Sequence, residues 1–241
     1  MQLIDKTKCN PELGHEIFNM LKEKGLLNHY KGSKYSDEEQ NKIIDEALLK
    51  IFETIGFNMD DPNFQDTPRR VRKYLRETKA IMNWDYFPKI MTVPEDINGA
   101  KNSFINIGPL RSIFTCSHHL APAVGCKPAG KGVVFGPAMH IAYIPNGRIL
   151  GLSKFQSIVD FLSSVIPTTQ ENLTAVVGWT ISHIMQTKDV AVYCEAYHTC
   201  MVLRSAYSPA ATTTLWIHPD SVFAKDTNIR SEFLAIARDQ S

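Results

Sequence analysis

The sequence predicts an α+β fold, in which two helices cover one face of an antiparallel sheet that follows a helical N-terminal region. Residues before about 95 show helical apolar spacing and helix caps, whereas strand-like runs punctuated by proline and glycine begin near residue 102. Two helical segments, 153–165 and 170–185, separate the first strands from the last ones. We therefore expect residues 1–95 to form a helical region and residues 96–241 to form the domain that carries the chemistry.

Two amphipathic helices are predicted in the N-terminal region. Residues 11–24 repeat apolar side chains on one helical face. Residues 36–55 begin with the capping box Ser36-x-x-Glu39, in which each side chain bonds the other residue's backbone amide, and they end before Gly56. These two signals define both ends of the second helix.

A third, strongly basic helix begins with Thr67 as its cap and Pro68 at its first position. Its cations are Arg69, Arg70, Arg72, Lys73 and Arg76. In most proteins such a face is solvated surface, and phosphate binding is the functional alternative.

The predicted strands lie at residues 104–107, 113–116, 133–135, 140–144, 190–198 and 211–218. The order along the chain is strands, two helices, then strands again. Helices placed in this way are expected on one face of an antiparallel sheet.

Composition argues against several classes of function. The 241 residues carry 26 Lys and Arg against 25 Asp and Glu, so no overall field attracts nucleic acid or an anionic membrane. Neither a signal peptide nor an apolar run long enough to span a membrane is present in the sequence. The five cysteines are odd in number and scattered, which favours reduced thiols over a disulfide framework. We expect a cytoplasmic protein that binds neither nucleic acid nor membrane.

The segment Cys116-Ser117-His118-His119, with His198-Thr199-Cys200 further along, predicts a metal site. Thiolate and imidazole are preferred zinc ligands, and a zinc ion held by three protein ligands keeps a fourth position open for water. Cys116 and His119 stand three residues apart, so one tight turn can aim both at one ion, and Cys200 can reach it from a distant strand. This pattern favours a catalytic over a structural metal. His118 and His198 lie within two residues of a proposed ligand, where an imidazole can move protons for a metal-bound nucleophile.

Six motifs occur along the chain in a fixed order. They are Thr67-Pro68-x-Arg70-Val71, Cys116-x-His118-His119, Tyr143-Ile144-Pro145, Gly151-Leu152-Ser153-Lys154, Gln170-Glu171-x-Leu173-Thr174 and His198-x-Cys200-Met201-x-x-Arg204. In this order they resemble the GTP cyclohydrolase I family over about residues 40–237. The resemblance implies a tunnelling fold, in which the sheets of several subunits join into a barrel, and a homo-oligomer, a decamer by resemblance, with active sites shared between subunits. It also implies hydrolytic opening of the guanine imidazole ring of GTP, which gives formate and 7,8-dihydroneopterin triphosphate.

The resemblance assigns roles residue by residue. Cys116, His119 and Cys200 resemble the zinc ligands, and His118 and His198 resemble the catalytic histidines. Gln170 and Glu171 resemble the pair that recognises guanine, whose N1–H and exocyclic amine can both donate to one carboxylate. The other substrate contacts that the resemblance implies are Ser153, Lys154, Arg204, Arg70 and Lys73.

The chain departs from the family pattern at several positions. Ser117 stands where the family has a glutamate, so a charge next to the metal site is missing. Ser157 and Asn172 each stand where the family has an arginine, so a phosphate contact is expected to be missing. Residues 126–138 form an insertion, for which we predict a longer hairpin.

Other interpretations of these residues stay open. Cys116 and Cys200 suit a buried core as well as a metal, and His140, His183 and His218 match no motif and are interpreted as structural or surface residues. Two alternatives for function also remain. One is an enzyme of the same fold with an altered guanine nucleotide as substrate, such as a deoxynucleotide, in a deazapurine or pterin route. The other is a non-catalytic, nucleotide-binding regulatory homologue.

Overall fold

The computed structural model describes residues 5–27, 33–77, 83–94, 104–129, 132–165, 167–202 and 211–240. Its α-helices are α1 (Pro11–Glu23), α2 (Asp37–Thr54), α3 (Thr67–Glu77), α4 (Leu152–Val165), α5 (Gln170–Met185), α6 (Thr199–Val202), α7 (Val222–Lys225) and α8 (Thr227–Gln240). Its strands are β1 (Thr92–Pro94), β2 (Ile105–Leu110), β3 (Ile113–Thr115), β4 (Pro122–Ala129), β5 (Gly132–Phe135), β6 (Met139–Tyr143), β7 (Arg148–Leu150), β8 (Val190–His198) and β9 (Thr212–Ile217). Over these ranges no helix is both long and apolar enough to cross a membrane.

The sheet is antiparallel between all of its described strands, and β8 lies at its centre. One edge of β8 pairs with β9. The other edge pairs with β6 along residues 190–194 and then with β4 along residues 196–198. β2 and β3 extend the sheet beyond β6 and β4. β4 and β6 therefore occupy the same strand position, one after the other, beside β8.

The predicted hairpin consists of the second half of β4 and of β5, and it projects from the sheet between the parts of β4 and β6 that pair with β8. β4 and β5 pair along it from Cys126 with Phe135 to Ala129 with Gly132. At its base Gly125 pairs with Ala196, and Met139 pairs with Cys194. The backbone amide between those two β8 residues, at position 195, donates to the carbonyl oxygen of residue 138 at 3.1 Å. Residues 126–137 are therefore an addition to a sheet whose register continues without a shift from residue 125 to residue 138.

Helices α4 and α5 cover one face of the sheet, as the sequence predicts. Phe155 of α4 and Val177 of α5 share a core with Ile141 of β6 and Val192 of β8, and all four side chains are fully buried. Ile17 of α1 belongs to the same core. The division of the chain near residue 95 stays a prediction.

The opposite face is partly covered by α8, a helix that we do not predict from the sequence. Phe233 and Ala237 pack in a second core with Ala142 of β6 and Tyr193 of β8. Together with Ile229 they recur every four residues, a helical spacing that the sequence does contain. The expectation of helices on one face alone is thus incomplete.

The N-terminal helices form where the caps place them. The amide of Ser36 donates to the Glu39 carboxylate at 2.8 Å, and the amide of Glu39 donates to the Ser36 hydroxyl at 3.3 Å, which confirms the capping box. α3 is held against α2 by Arg72, which donates to Asp45 at 2.8 Å and to Asn41 at 3.0 Å. Part of the basic face of α3 therefore holds the two helices together.

Candidate active site

The proposed cysteine ligands lie at one end of the sheet, on either side of the start of β4. Thr115, the last residue of β3, pairs with Pro122, and Ala123 pairs with His198, the last residue of β8. The hydroxyl of Thr199 donates to the Pro122 carbonyl at 2.8 Å. Cys116 follows Thr115 and Cys200 follows Thr199, so the ladder brings two distant parts of the sequence to the same end of the sheet.

The loop that carries the paired histidines is fixed by backbone hydrogen bonds at its start. The Cys116 amide donates to the Ala121 carbonyl at 2.9 Å, and Leu120 reverses the chain with a left-handed φ of 53°. The Ser117 amide donates to the Thr168 carbonyl at 3.2 Å, and the Thr168 amide donates to the Thr115 carbonyl at 2.9 Å. The loop is thereby tied to the segment that precedes α5.

The thiol of Cys116 is buried, at 3% exposure, whereas His118 and His119 are exposed and Cys200 is half-buried. Two thiols and one imidazole are the donor types that suit zinc. Within the described ranges, however, no group of three or more His, Cys, Asp or Glu side chains is close enough to hold a metal ion. The backbone thus brings the cysteines to one end of the sheet, but the side chains of the three predicted ligands are not close enough together to bind one ion.

His198 is the most closely held of the predicted catalytic residues. Its Nε2 lies 3.0 Å from Oε1 of Gln170, and the edge of the Phe114 ring packs near it, with 5.9 Å between ring centroids. Burial lowers the pKa of His198 below its ordinary value, while the Glu171 carboxylate acts to raise it and His118 acts to lower it. His118, Glu171 and Gln170 are therefore all neighbours of the His198 imidazole.

Gln170 and Glu171 open α5, and their side chains have different surroundings. Thr169 caps the helix by accepting a hydrogen bond from the Asn172 amide at 3.2 Å. Gln170 is only 2% exposed and bonds to the backbone of β8 and β9, whereas Glu171 is exposed in the first turn, where the helix dipole favours a carboxylate. Glu171 is thus available to a ligand, and the side chain of Gln170 is engaged within the protein.

The predicted phosphate contacts fall into two separate places. Ser153 and Lys154 lie in the first turn of α4, with Ser153 exposed and Lys154 half-buried. Arg70 and Lys73 are exposed on α3, where Asp66 accepts from Arg70 at 3.2 Å. Arg204 lies outside the described residues.

His140, His183 and His218, which match no motif, have partners or burial of their own elsewhere in the fold. His183 on α5 lies 2.8 Å from the Glu16 carboxylate of α1. His140 is fully buried on β6, where burial lowers its pKa to about 4. His218 follows β9 and packs against Trp179, with ring centroids 4.6 Å apart. These placements agree with their interpretation as structural or surface residues.

Comparison with known proteins identifies the family. The GTP cyclohydrolase I family model matches residues 44–238. The chain belongs to the GTP cyclohydrolase I family. It is 32% identical over 216 residues to a protein named GTP cyclohydrolase 1 from Shewanella sp. (strain W3-18-1), covering 89% of this chain and 93% of that one. A protein of the same name from Shewanella baltica (strain OS185) is also 32% identical, over 89% of this chain and 92% of its own length. The protein is accordingly a GTP cyclohydrolase enzyme.

At two positions where the chain departs from the GTP cyclohydrolase I pattern, the side chain forms hydrogen bonds within the protein. The Ser157 hydroxyl donates to the Ser153 carbonyl one turn earlier in α4, at 3.1 Å. The Asn172 side-chain amide donates to the Leu26 carbonyl at 3.2 Å and to the Thr168 hydroxyl at 2.8 Å. Asn172 thus ties α5 to the end of the α1 region, while Ser157 adds no cation to α4.

Two residues of this site are not among those that the sequence predicts. Thr168 binds the histidine loop on both sides of Cys116, and Phe114 borders His198. Thr168 lies two residues before the Gln170 motif, which is the one sequence signal that points to it. Phe114 gives no such signal, because an aromatic residue in a strand is usually core.

Proposed function

We propose that this enzyme is a zinc-dependent GTP cyclohydrolase I, which hydrolyses the imidazole ring of GTP to give formate and 7,8-dihydroneopterin triphosphate. The observation that carries the proposal is the common location of Cys116, Cys200 and the hydrogen-bonded pair His198 and Gln170 at one end of the sheet. Metal binding and proton transfer at a single place are what hydrolysis of a purine ring requires.

Cys116, His119 and Cys200 would hold the zinc ion. When bound, zinc would supply a water acidic enough to act as a nucleophile toward C8 of guanine near neutral pH. His119 is exposed on the loop that begins at Cys116, and it is the third ligand that we propose. That loop is fixed at its base, where Cys116 and Ser117 have backbone partners.

His118 and His198 would move the protons of the reaction. One imidazole protonates N7 as the ring opens, and proton transfers follow during hydrolysis of the formamide and rearrangement of the sugar. The lowered pKa of His198 favours its neutral form near pH 7, so it can accept a proton before it returns one.

Glu171 would recognise the guanine edge, and the cations would hold the triphosphate. The exposed carboxylate of Glu171 acts near His198 and can accept from both N1–H and the exocyclic amine of guanine. Adenine presents no such pair of donors, so the same carboxylate excludes it. Lys154, with Ser153, and Arg204, Arg70 and Lys73 are the proposed phosphate contacts.

The active enzyme is proposed to be a homo-oligomer, a decamer by resemblance to the family, in which subunit sheets join into a barrel. α2 has no fully buried residue and exposes Ile43, Leu49 and Ile51. An amphipathic helix exposed in this way suits contact with a second subunit. We therefore propose that Arg70 and Lys73, which lie on α3 beside α2, serve the active site of a neighbouring subunit.

A second candidate substrate is a guanine nucleotide with fewer phosphates or a different sugar. One observation favours it: Ser157 hydrogen-bonds within α4 and supplies no cation one turn from Lys154. Purified protein incubated with GTP, GDP and dGTP, with formate release and pterin fluorescence followed, tests both substrates. His198→Ala is the control, and it should keep nucleotide binding while turnover falls by roughly two to four orders of magnitude. Turnover of none of the three nucleotides by the wild type would contradict the proposal.

A further inference from the structure

The amide group of Gln170 has only one orientation that its surroundings allow. Its Nε2 lies 3.0 Å from the Cys194 carbonyl oxygen of β8 and 2.9 Å from the Thr212 carbonyl oxygen of β9. Carbonyl oxygens only accept hydrogen bonds, so the two hydrogens of the amide nitrogen must point to them. Rotation of the amide by half a turn would bring its oxygen against both carbonyls. The neighbours therefore settle an oxygen and nitrogen assignment that is otherwise ambiguous.

This orientation decides which nitrogen of His198 carries a hydrogen. Oε1 of Gln170 faces Nε2 of His198 at 3.0 Å, and an amide oxygen can only accept. Nε2 must then be the donor. A neutral imidazole has one N–H group, so Nδ1 holds the free electron pair. The Phe114 ring meets the imidazole nearly at a right angle, with an interplanar angle of 82°, and limits its rotation.

We propose that Gln170 is a positioning residue that holds His198 in the Nε2–H form, so that Nδ1 is the atom that accepts and returns protons in the reaction. The part that concerns catalysis rests on the proposed function. The part that concerns the imidazole does not, because it follows from the hydrogen bonds alone. Loss of a partner that orients a metal-ligating imidazole typically costs about ten- to hundredfold in activity, and we expect a loss of the same order for the imidazole of His198.

Two substitutions of Gln170 and a matched control distinguish loss of the hydrogen-bond acceptor from general damage to the fold. Gln170→Met keeps the approximate size of the side chain but removes the acceptor. Gln170→Glu keeps an acceptor for His198, and its buried carboxyl group, when protonated, keeps one of the two donors to the Cys194 and Thr212 carbonyls, so it is the variant that retains the acceptor. Gln156→Met is the control, since the Gln156 amide also has three partners: it donates to the Arg111 carbonyl at 3.0 Å and to Asp160 at 2.9 Å, and it accepts from the Arg111 amide at 2.9 Å.

The direct readout is the nitrogen NMR spectrum of His198, with His198→Gln used for assignment. In the wild type we expect the ring hydrogen on Nε2, protected from exchange with solvent. Gln170→Met should lose that protection, and Gln170→Glu should keep it. A wild-type hydrogen on Nδ1 would overturn the proposal, and this spectrum decides even if Gln170→Met fails to fold.

The kinetic readout separates positioning from binding. We expect kcat of Gln170→Met to fall about ten- to hundredfold with KM within about threefold of the wild type, and Gln170→Glu, which keeps the acceptor but has one donor fewer, to recover part of the loss. Gln156→Met should leave both constants near their wild-type values. An unchanged kcat in folded Gln170→Met would refute the catalytic part. If the wild type opens no guanine nucleotide at all, the proposed function fails, while the spectrum still tests the state of the imidazole.

Discussion

Removal of residues 126–137 should leave the sheet intact, because Gly125 and Ala138 already occupy successive places beside β8. The deletion removes the contact between Phe135 and Tyr197, whose ring centroids are 5.2 Å apart. Such a pair is worth about 0.5–1.5 kcal/mol, and loss of the Cys126 side chain, which is 1% exposed, adds about 1 kcal/mol. Closing a shorter connection returns part of this loss. We expect the free energy of unfolding to change by less than about 2 kcal/mol.

Deletion of residues 126–138 is the matched control, since it removes one residue more. This longer deletion shifts the pairing of β6 with β8 by one residue, and such a shift turns every side chain of a strand to the opposite face of the sheet. Met139 and Ile141, both fully buried against α4 and α5, would leave that core. At about 1.5–3 kcal/mol for each side chain, the loss is roughly 3–6 kcal/mol, which approaches the whole stability of many domains.

Urea unfolding at a fixed protein concentration, followed by circular dichroism and tryptophan fluorescence, measures both deletions against the wild type. The register-keeping deletion should unfold near the wild-type midpoint, and the control should unfold much earlier or not fold. Equal destabilisation of the two deletions would refute the continuous register and make the hairpin part of the sheet.

Three further predictions concern the site. Wild-type protein should contain about one zinc per subunit by elemental analysis, and Cys200→Ala should lose most of it. Cys126→Ala, which removes a buried thiol that is not a proposed ligand, should retain the zinc. Full retention by Cys200→Ala would remove Cys200 from the ligand set. Ser157→Arg should tighten GTP binding by roughly one to two orders of magnitude with little change in turnover, because a charge-assisted phosphate contact is worth about 1.5–3 kcal/mol. Unchanged affinities for GTP, GDP and dGTP would mean that residue 157 does not face the phosphates. Finally, oligomers mixed from Arg70→Ala and His198→Ala chains should recover some turnover, whereas no recovery in demonstrably mixed oligomers would indicate sites built within one chain.

Local signals account for the parts of the fold that the sequence predicts. The capping box of α2 is a contact between residues three apart, so a single stretch of sequence contains it whole. The sequence does not predict β4, because Pro122, Gly125 and Pro128 lie within it and these residues ordinarily end strands. They are tolerated here where β4 meets β3 and then leaves the sheet as a hairpin. A helix at α8 has its apolar spacing in the sequence, but the order of elements alone gave no reason to expect cover on the second face.

The site shows the same division between local and distant information. Ordered motifs indicate the family, and the family model confirms that membership over residues 44–238. The partners of Gln170 lie 24 and 42 residues away, in strands whose register no local pattern fixes. Its burial and its contact with His198 therefore appear only once β8 and β9 are assembled beside α5.

The backbone hydrogen bonds of Thr168 join the loop that follows Cys116 and the start of α5 into one rigid unit. Thr168 is bonded to Thr115 and Ser117 by its backbone, and α5 begins two residues later. A change that repositions this short connection would move Glu171 and Cys116 together. Attempts to alter the proposed base recognition by changing residues 168–170 would consequently disturb the proposed metal ligands, whereas substitution of the exposed Glu171 side chain alone leaves this connection in place.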